Sequence, residues 1–224
     1  RERVQEYRYR EARLRCGDKE GYVKLARWAR NYGVTEGLKE CAFYILRMDP
    51  FHSEAVKWAR PFLEDAPLAL SAPLEGIVRV LSNGNSGAEA NAYNLFELVL
   101  GSEEGGKLAG TTVVAPCDCK VRYVMDTHKD VQRDKIDLSL NNYVLLTIGK
   151  GSVKIGGFAK DGVSVKRGQE LKKGQPLGTV GSPSGMDVLT IRAGNSDTFS
   201  VPVEFTGVRV KGEGGWKDSD SYTP

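Results

Sequence analysis

At 224 residues with 40% hydrophobic content, the chain has apolar material for one well-filled core or two modest ones. Thirty-two Lys and Arg against twenty-nine Asp and Glu leave a net charge of +3, and the basic residues are scattered, which disfavours a nucleic-acid partner. The longest apolar run, around Leu95 to Leu100, is interrupted by Glu97 and falls far short of the ~18 residues that a spanning helix needs, so no membrane span is expected.

From Arg1 to about Leu63 apolar residues recur at three and four: Tyr22, Leu25, Ala26 and Trp28, then Leu38, Cys41, Ala42, Tyr44 and Ile45. This spacing predicts three or four short antiparallel helices in residues 1–70. Gly33 and Gly37 are expected to bracket a turn. Asp49-Pro50 closes the helix ending at Met48, and Ser53 is expected to cap the next one with its hydroxyl. Residues 71–85, with Pro73 among small residues, read as a linker.

Beyond the linker the period becomes alternating. Val78–Leu81, Thr112–Ala115, Lys120–Val124, Tyr143–Ile148, Ser152–Ile155, Val163–Val165, Leu189–Arg192 and Val208–Val210 are β-type runs separated by Gly, Asn, Asp or Pro. Residues 86–211 are therefore expected to form an all-β domain, and 212–224 a poorly ordered tail. Within this half, GVSVKRGQELKKGQPLGTVG carries two glycine turns, at Gly168-Gln169 and Gly174-Gln175, with lysines beside each tip.

Four cysteines, Cys16, Cys41, Cys117 and Cys119, lack the paired spacing of a zinc ribbon. Cys117 and Cys119 lie two apart on an expected strand, so they share a face. His128 would be a third donor if a metal bound there, although small thiols at strand positions are commonly structural.

Two stretches carry resemblances. YVKLARWARNYGVTEGLKECAFYILRMDPFHSEAVKWA resembles a tetratricopeptide-like unit. TTVVAPCDCKVRYV, NNYVLLTIG, GVSVKRGQELKKGQPLGTVGSPSG and VLTIRA, in that order, resemble the lysostaphin-type (LytM) zinc endopeptidases, which cut peptidoglycan cross-links. The resemblance implies the fold class: segregated α+β, with helical hairpins followed by a duplicated hybrid motif of the barrel-sandwich kind. It also implies a zinc site, held by a histidine and an aspartate early in the domain and by a late HxH motif. Carried over residue by residue, the HxH positions fall at Met186 and Val188, the early pair at Asn94 and Glu97, and a further histidine position at Ala159 or Lys160. None is an imidazole. Only His52 and His128 occur in the chain, whereas a zinc hydrolase of this type needs at least three histidines in one cleft.

The expectation is a pseudoenzyme with no cofactor: a binding or scaffold module whose degenerate site lines a groove for a protein or peptide, such as a cell-wall hydrolase. The resemblance alone suggests the cell envelope or periplasm. Two other classes compete. Lipoyl and biotinyl carriers share the barrel-sandwich arrangement, with Lys129 as the corresponding carrier lysine, though a long connection separates it from the glycine turns. An unrecognised hydrolase would use Asp187 with Glu97, or a serine of Ser182-Pro183-Ser184, as its chemical groups.

Overall fold

The computed structural model describes residues 2–64, 67–74, 78–83, 91, 95–102, 107–130, 141–185, 187–195, 199–212 and 215–222. It divides into two compact units, residues 1–66 with 86–95, and residues 67–85 with 96–224. Four helices build the first: α1 (Glu2–Glu11), α2 (Lys19–Asn31), α3 (Thr35–Met48) and α4 (Ser53–Glu64). No helix among the described residues is long and apolar enough to cross a membrane.

Alternation at three and four gives each helix one apolar face. Ala26, Ala29, Cys41, Ala42, Ile45, Leu46, Ala55 and Ala59 are fully buried, and so many alanines let the backbones approach closely. The Asp18 side chain accepts the Gly21 amide at 2.9 Å and caps α2. Two local expectations are corrected. Gly37 lies inside α3 rather than in a turn, because the fully buried Tyr7 ring of α1 occupies the space its side chain would need. At α4 the free amide of Ala55 donates to the His52 ring Nδ1 at 3.3 Å, so the cap is His52, one residue before Ser53.

The second unit is β-rich and contains three sheets. In the first, β1 (Leu68–Ser71) runs parallel to β13 (Val203–Gly212), which pairs in turn with β14 (Gly215–Tyr222). The second places β10 (Pro176–Val180) between β4 (Thr112–Val114) and β8 (Phe158–Val163). The longest has the order β2 (Val78–Asn83), β3 (Leu98–Ser102), β11 (Val188–Gly194), β7 (Gly151–Gly156), β6 (Tyr143–Ile148), β5 (Cys119–Met125), β9 (Glu170–Leu171), with β12 (Ser200–Val201) also on β11.

Segments expected as linker and tail thus carry strands. Residues 71–85 contain β2, and Ser71 ends β1; the tail contains β14. Composition concealed both. The polar sequence GWKDSDSY has no apolar alternation, and its strand is defined by ladder bonds to β13 from Phe205↔Tyr222 to Gly212↔Gly215. The run at Val163–Val165 also shifts: the strand is Phe158–Val163, and Val165 is a buried residue beyond it.

The two glycine turns are built alike. Gln169 and Gln175 donate their amides to the carbonyls of Lys166 and Lys172, each at 3.1 Å. Gly168 and Gly174 sit at φ +87° and +82°, the left-handed backbone that position i+2 of a type II turn requires. In each turn the glutamine side chain folds back to accept the lysine amide, at 3.1 and 2.8 Å. Each turn then docks through a reciprocal pair of backbone bonds. Gly168 and Gln169 pair with Val121, and Gly174 and Gln175 with Ala115, all at 2.8–2.9 Å.

The long sheet has one closed face. Val144 and Leu146 of β6, Val153 and Ile155 of β7, Leu189 and Ile191 of β11 and Leu98 and Leu100 of β3 are at most 1% exposed and lie opposite one another across the ladders. Each contributes roughly 1.5–3 kcal/mol on burial.

Candidate functional site: the second face of the long sheet

Side chains alternate across a strand, so the residues between those core positions share the other face. Register defines two rows. One runs Tyr143–Gly156–Thr190–Val99, and the next Tyr123–Leu145–Lys154–Arg192. Glu97 directly precedes Leu98, the partner of Ile191, which sets Glu97 against Arg192. This face is half-exposed where the opposite face is closed.

Its polar groups act on each other. The Lys154 Nζ lies 4.1 Å from the centroid of the Tyr143 ring, and the Tyr143 and Tyr123 rings are 5.8 Å apart. Burial holds the Lys154 ammonium below the ordinary lysine value; Arg192 pushes the same way and Glu97 opposes both. Gly156 lets the Asn141 and Thr190 side chains close in over the row, since a Cβ there would fall 2.6 Å from Asn141 Nδ2 and 2.7 Å from Thr190 Oγ1. The face can therefore offer cations, aromatic faces and a hydroxyl to an extended ligand carrying carboxylates.

Of the site positions expected from sequence, Asn94 and Met186 lie outside the described residues. Val188 starts β11 on the same face as Thr190 and Arg192, and its side chain is buried at 8% exposure. Glu97 joins that face. Ala159 belongs to β8 in the other sheet, but the turn preceding it returns to Val188: Gly157 lies against the Val188 carbonyl, and Gly181 against the Ala159 backbone. Lys160 is not drawn in. It is exposed, with its ammonium 3.5 Å from the neighbouring Asp161 carboxylate.

A zinc ion does not fit these residues. Val188 and Ala159 present only methyl groups, and zinc takes nitrogen, sulfur or oxygen donors. Among the described residues no group of three or more His, Cys, Asp or Glu could hold a metal ion. The His52 ring caps α4, and the backbone of His128 is held in place by Asn142. The buried Asn142 side chain donates to the His128 carbonyl at 2.7 Å and accepts its amide at 2.9 Å.

Of the competing groups, Asp187 Oδ2 accepts the Leu108 amide at 2.9 Å, a structural use of that oxygen, while its buried Oδ1 has no hydrogen-bond partner. Ser182 accepts the Gly185 amide through its carbonyl, closing the turn around Ser184. Lys129 is exposed in a segment without regular structure.

Sequence reasoning missed Lys154, Arg192 and Tyr143. The signal was present: Lys154 stands between Val153 and Ile155, and Arg192 between Ile191 and Ala193, the mark of strands with one polar face.

No sequence family matches the chain, and no curated protein does. Solved structures do. Csd3 of Helicobacter pylori is 14% identical over 59% of this chain and 33% of its own, with a TM-score of 0.42. A zinc-containing peptidase from Vibrio cholerae is 16% identical over 60% of this chain and 39% of its own, at 0.43. CbpA from L. salivarius REN is 18% identical over 67% of this chain and 91% of its own, at 0.37. The likeness is distant and partial. The chain spans about a third of the Csd3 structure.

Proposed function

We propose that the chain is a non-catalytic LytM-like module in which the zinc-peptidase site has become a binding surface, serving as a scaffold or regulator in the cell envelope. In this reading the β domain is a degenerate duplicated hybrid motif of the barrel-sandwich type. The preceding tetratricopeptide-like helices form a second protein-binding element. The partner is a protein or peptide, such as a cell-wall hydrolase.

The single observation that carries the reading is the composition of one sheet face. Where the resemblance calls for zinc-ligating imidazoles, the chain has the apolar Val188 and Ala159, yet the strands around them carry a half-exposed polar face with Lys154, Arg192, Glu97 and Tyr143. A surface that had lost all use would have no reason to hold a lysine partly buried at energetic cost. Two cations and a tilted pair of tyrosine rings suit an extended peptide bearing carboxylates. The paired, identically docked glycine turns support the duplicated architecture.

The test joins zinc analysis, wall digestion and binding. Protein purified without chelator is expected to release nothing from peptidoglycan, with or without added zinc. It is expected to bind carboxylate-bearing stem peptides in calorimetry, and Arg192→Ala should weaken that binding about tenfold by removing a charge-assisted bond. Stoichiometric zinc with chelator-sensitive turnover overturns the reading.

A further inference from the structure

The chain's basic residues are spread along its length, but its charge excess is local. Residues 1–15 hold six arginines against three glutamates, an excess equal to the net charge of +3 on the whole chain. Helix α1, which carries three of these arginines, meets α2 through aromatic rings. Arg3 Cζ lies 5.8 Å from the centroid of the Tyr32 ring, and its Nη1 donates to the Tyr32 carbonyl at 3.2 Å. Arg10 Cζ lies 4.9 Å from the Trp28 ring, and Arg13 Cζ 4.0 Å from the Tyr9 ring. The Trp28 and Tyr32 rings are themselves 4.9 Å apart.

These groups form one strip. Arg3, Glu6 and Arg10 recur at three and four along α1 and so share a face. The Arg13 amide donates to the Arg10 carbonyl, which carries that face one turn further. With Arg8 over Tyr7 at 5.2 Å, four guanidiniums of the first 13 residues lie on rings, where proteins show about one such pair per 70–80 residues. Arg8 is used by the fold, both of its terminal nitrogens bonding Glu40 of α3 at 2.7 and 2.8 Å. The other three are not tied down in this way. Among the described residues no carboxylate pairs with Arg3 or Arg13, and Arg10 has Glu6 of its own helix at 2.7 Å, an exposed pair that holds little. All three are exposed, as are Tyr9 at 52% and Tyr32 at 47%.

A guanidinium laid on a ring has already given up much of its rotamer freedom, yet it keeps an N–H edge shaped for a carboxylate. We propose that this strip binds an acidic peptide segment of a protein partner, whose carboxylates bridge Arg3, Arg10 and Arg13 and whose apolar groups rest on Tyr9 and Tyr32. The proposal rests on reading the helices as a protein-binding element, and it is independent of the sheet face. Glu6 selects a peptide over a phosphate polymer. It stands between Arg3 and Arg10, where an unbroken line of phosphates would meet it, whereas a peptide can place a neutral residue there. Spacing narrows the peptide further. Arg3 and Arg10 are about 10 Å apart along the helix axis, and a polyproline II segment sets every third side chain on one edge, about 9 Å apart.

The experiment titrates the full chain against a fluorescently labelled (Glu-Pro-Pro)4 peptide and follows anisotropy. Saturable binding is expected, weakening several-fold as salt rises from about 50 to about 300 mM, with none for (Gln-Pro-Pro)4. Arg3→Gln with Arg10→Gln should weaken it at least about tenfold, and Arg10→Lys, which keeps the charge and loses the fork, about threefold. Arg27→Gln removes an equal charge from the side of α2 that bonds Glu54 of α4 and should leave binding unchanged. Arg192→Ala should also leave it unchanged, which separates this strip from the sheet face. Circular dichroism of each variant is expected to keep the parent helix signal, and Arg10→Lys decides the matter if the double variant does not. Absence of saturable binding, equal loss with Arg27→Gln, loss with Arg192→Ala in place of the strip variants, or equal affinity for an oligothymidine of about twelve nucleotides overturns the proposal; the sheet-face reading is tested by its own calorimetry.

Discussion

The Tyr7 ring lies 2.6 Å from where a side chain on Gly37 would begin, so α1 rests on α3 at a place where only a hydrogen fits. Tyr7 cannot give way, being 1% exposed, with its hydroxyl 3.1 Å from Glu40 Oε2. Gly37→Ala gains up to about 1 kcal/mol of helix propensity and loses about 1–3 kcal/mol to overpacking. A net loss is expected as a lower urea midpoint followed at the helix signal. In a Tyr7→Ala background the ring is gone, and the same substitution should become stabilising by about 0.5–1 kcal/mol. If Gly37→Ala costs the same in both backgrounds, the close approach is not what selects glycine.

At the two β turns the constraint is backbone conformation alone. Nothing lies within 4 Å of a Cβ built on Gly168 or Gly174, yet both have φ above +80°. Gly168→Ala and Gly174→Ala should therefore each cost about 1–2 kcal/mol, while asparagine at either position should recover most of the loss. Equal penalties at the two sites are expected from equal geometry. Thermal unfolding of the paired variants measures this, and a neutral Gly168→Ala would contradict it.

Lys154 sets a pH dependence. Its folded value lies below 10.5, the ordinary lysine value, through burial first and Arg192 second. In the window between the folded value and 10.5 the unfolded chain binds more protons than the folded one, so stability rises with pH there; below it the penalty for burying the charge is fully present. Lys154→Met should therefore flatten the rise in stability toward pH 10.5. Lysine-selective NMR should find the Lys154 titration lowered further by Glu97→Gln and raised by Arg192→Met, because these groups act with opposite sign. A shift in the same direction for both would mean that the row does not share one field.

Much of the fold was legible wherever a segment declares its own period. Helices α2 to α4 follow from spacing, and β4, β6 and β11 from alternation between turn residues. The glycine turns could be placed to the residue because their conformation is a property of four consecutive positions. What stayed hidden depends on distant partners. Gly37 reads as a turn residue until Tyr7 is seen against it, and β14 has no apolar pattern because β13 supplies its bonds. The site divides in the same way. The missing imidazoles were countable in sequence, but the row joining Lys154, Arg192 and Glu97 exists only through the register of three strands.

The parallel pairing of β1 with β13 imposes an order on how the chain acquires its structure. Leu68 must wait for Val203, and Leu70 for Phe205, whereas the helices contact near neighbours in sequence. Closing so long a loop costs entropy before any ladder bond is made, and structures with such distant contacts form slowly. During synthesis the helices can settle as they leave the ribosome, while β1 emerges soon after them and has no strand to pair with until the far end is made. Through that interval an apolar strand edge stands open to the solvent, so exposure to aggregation lasts until residues 203–206 have been made.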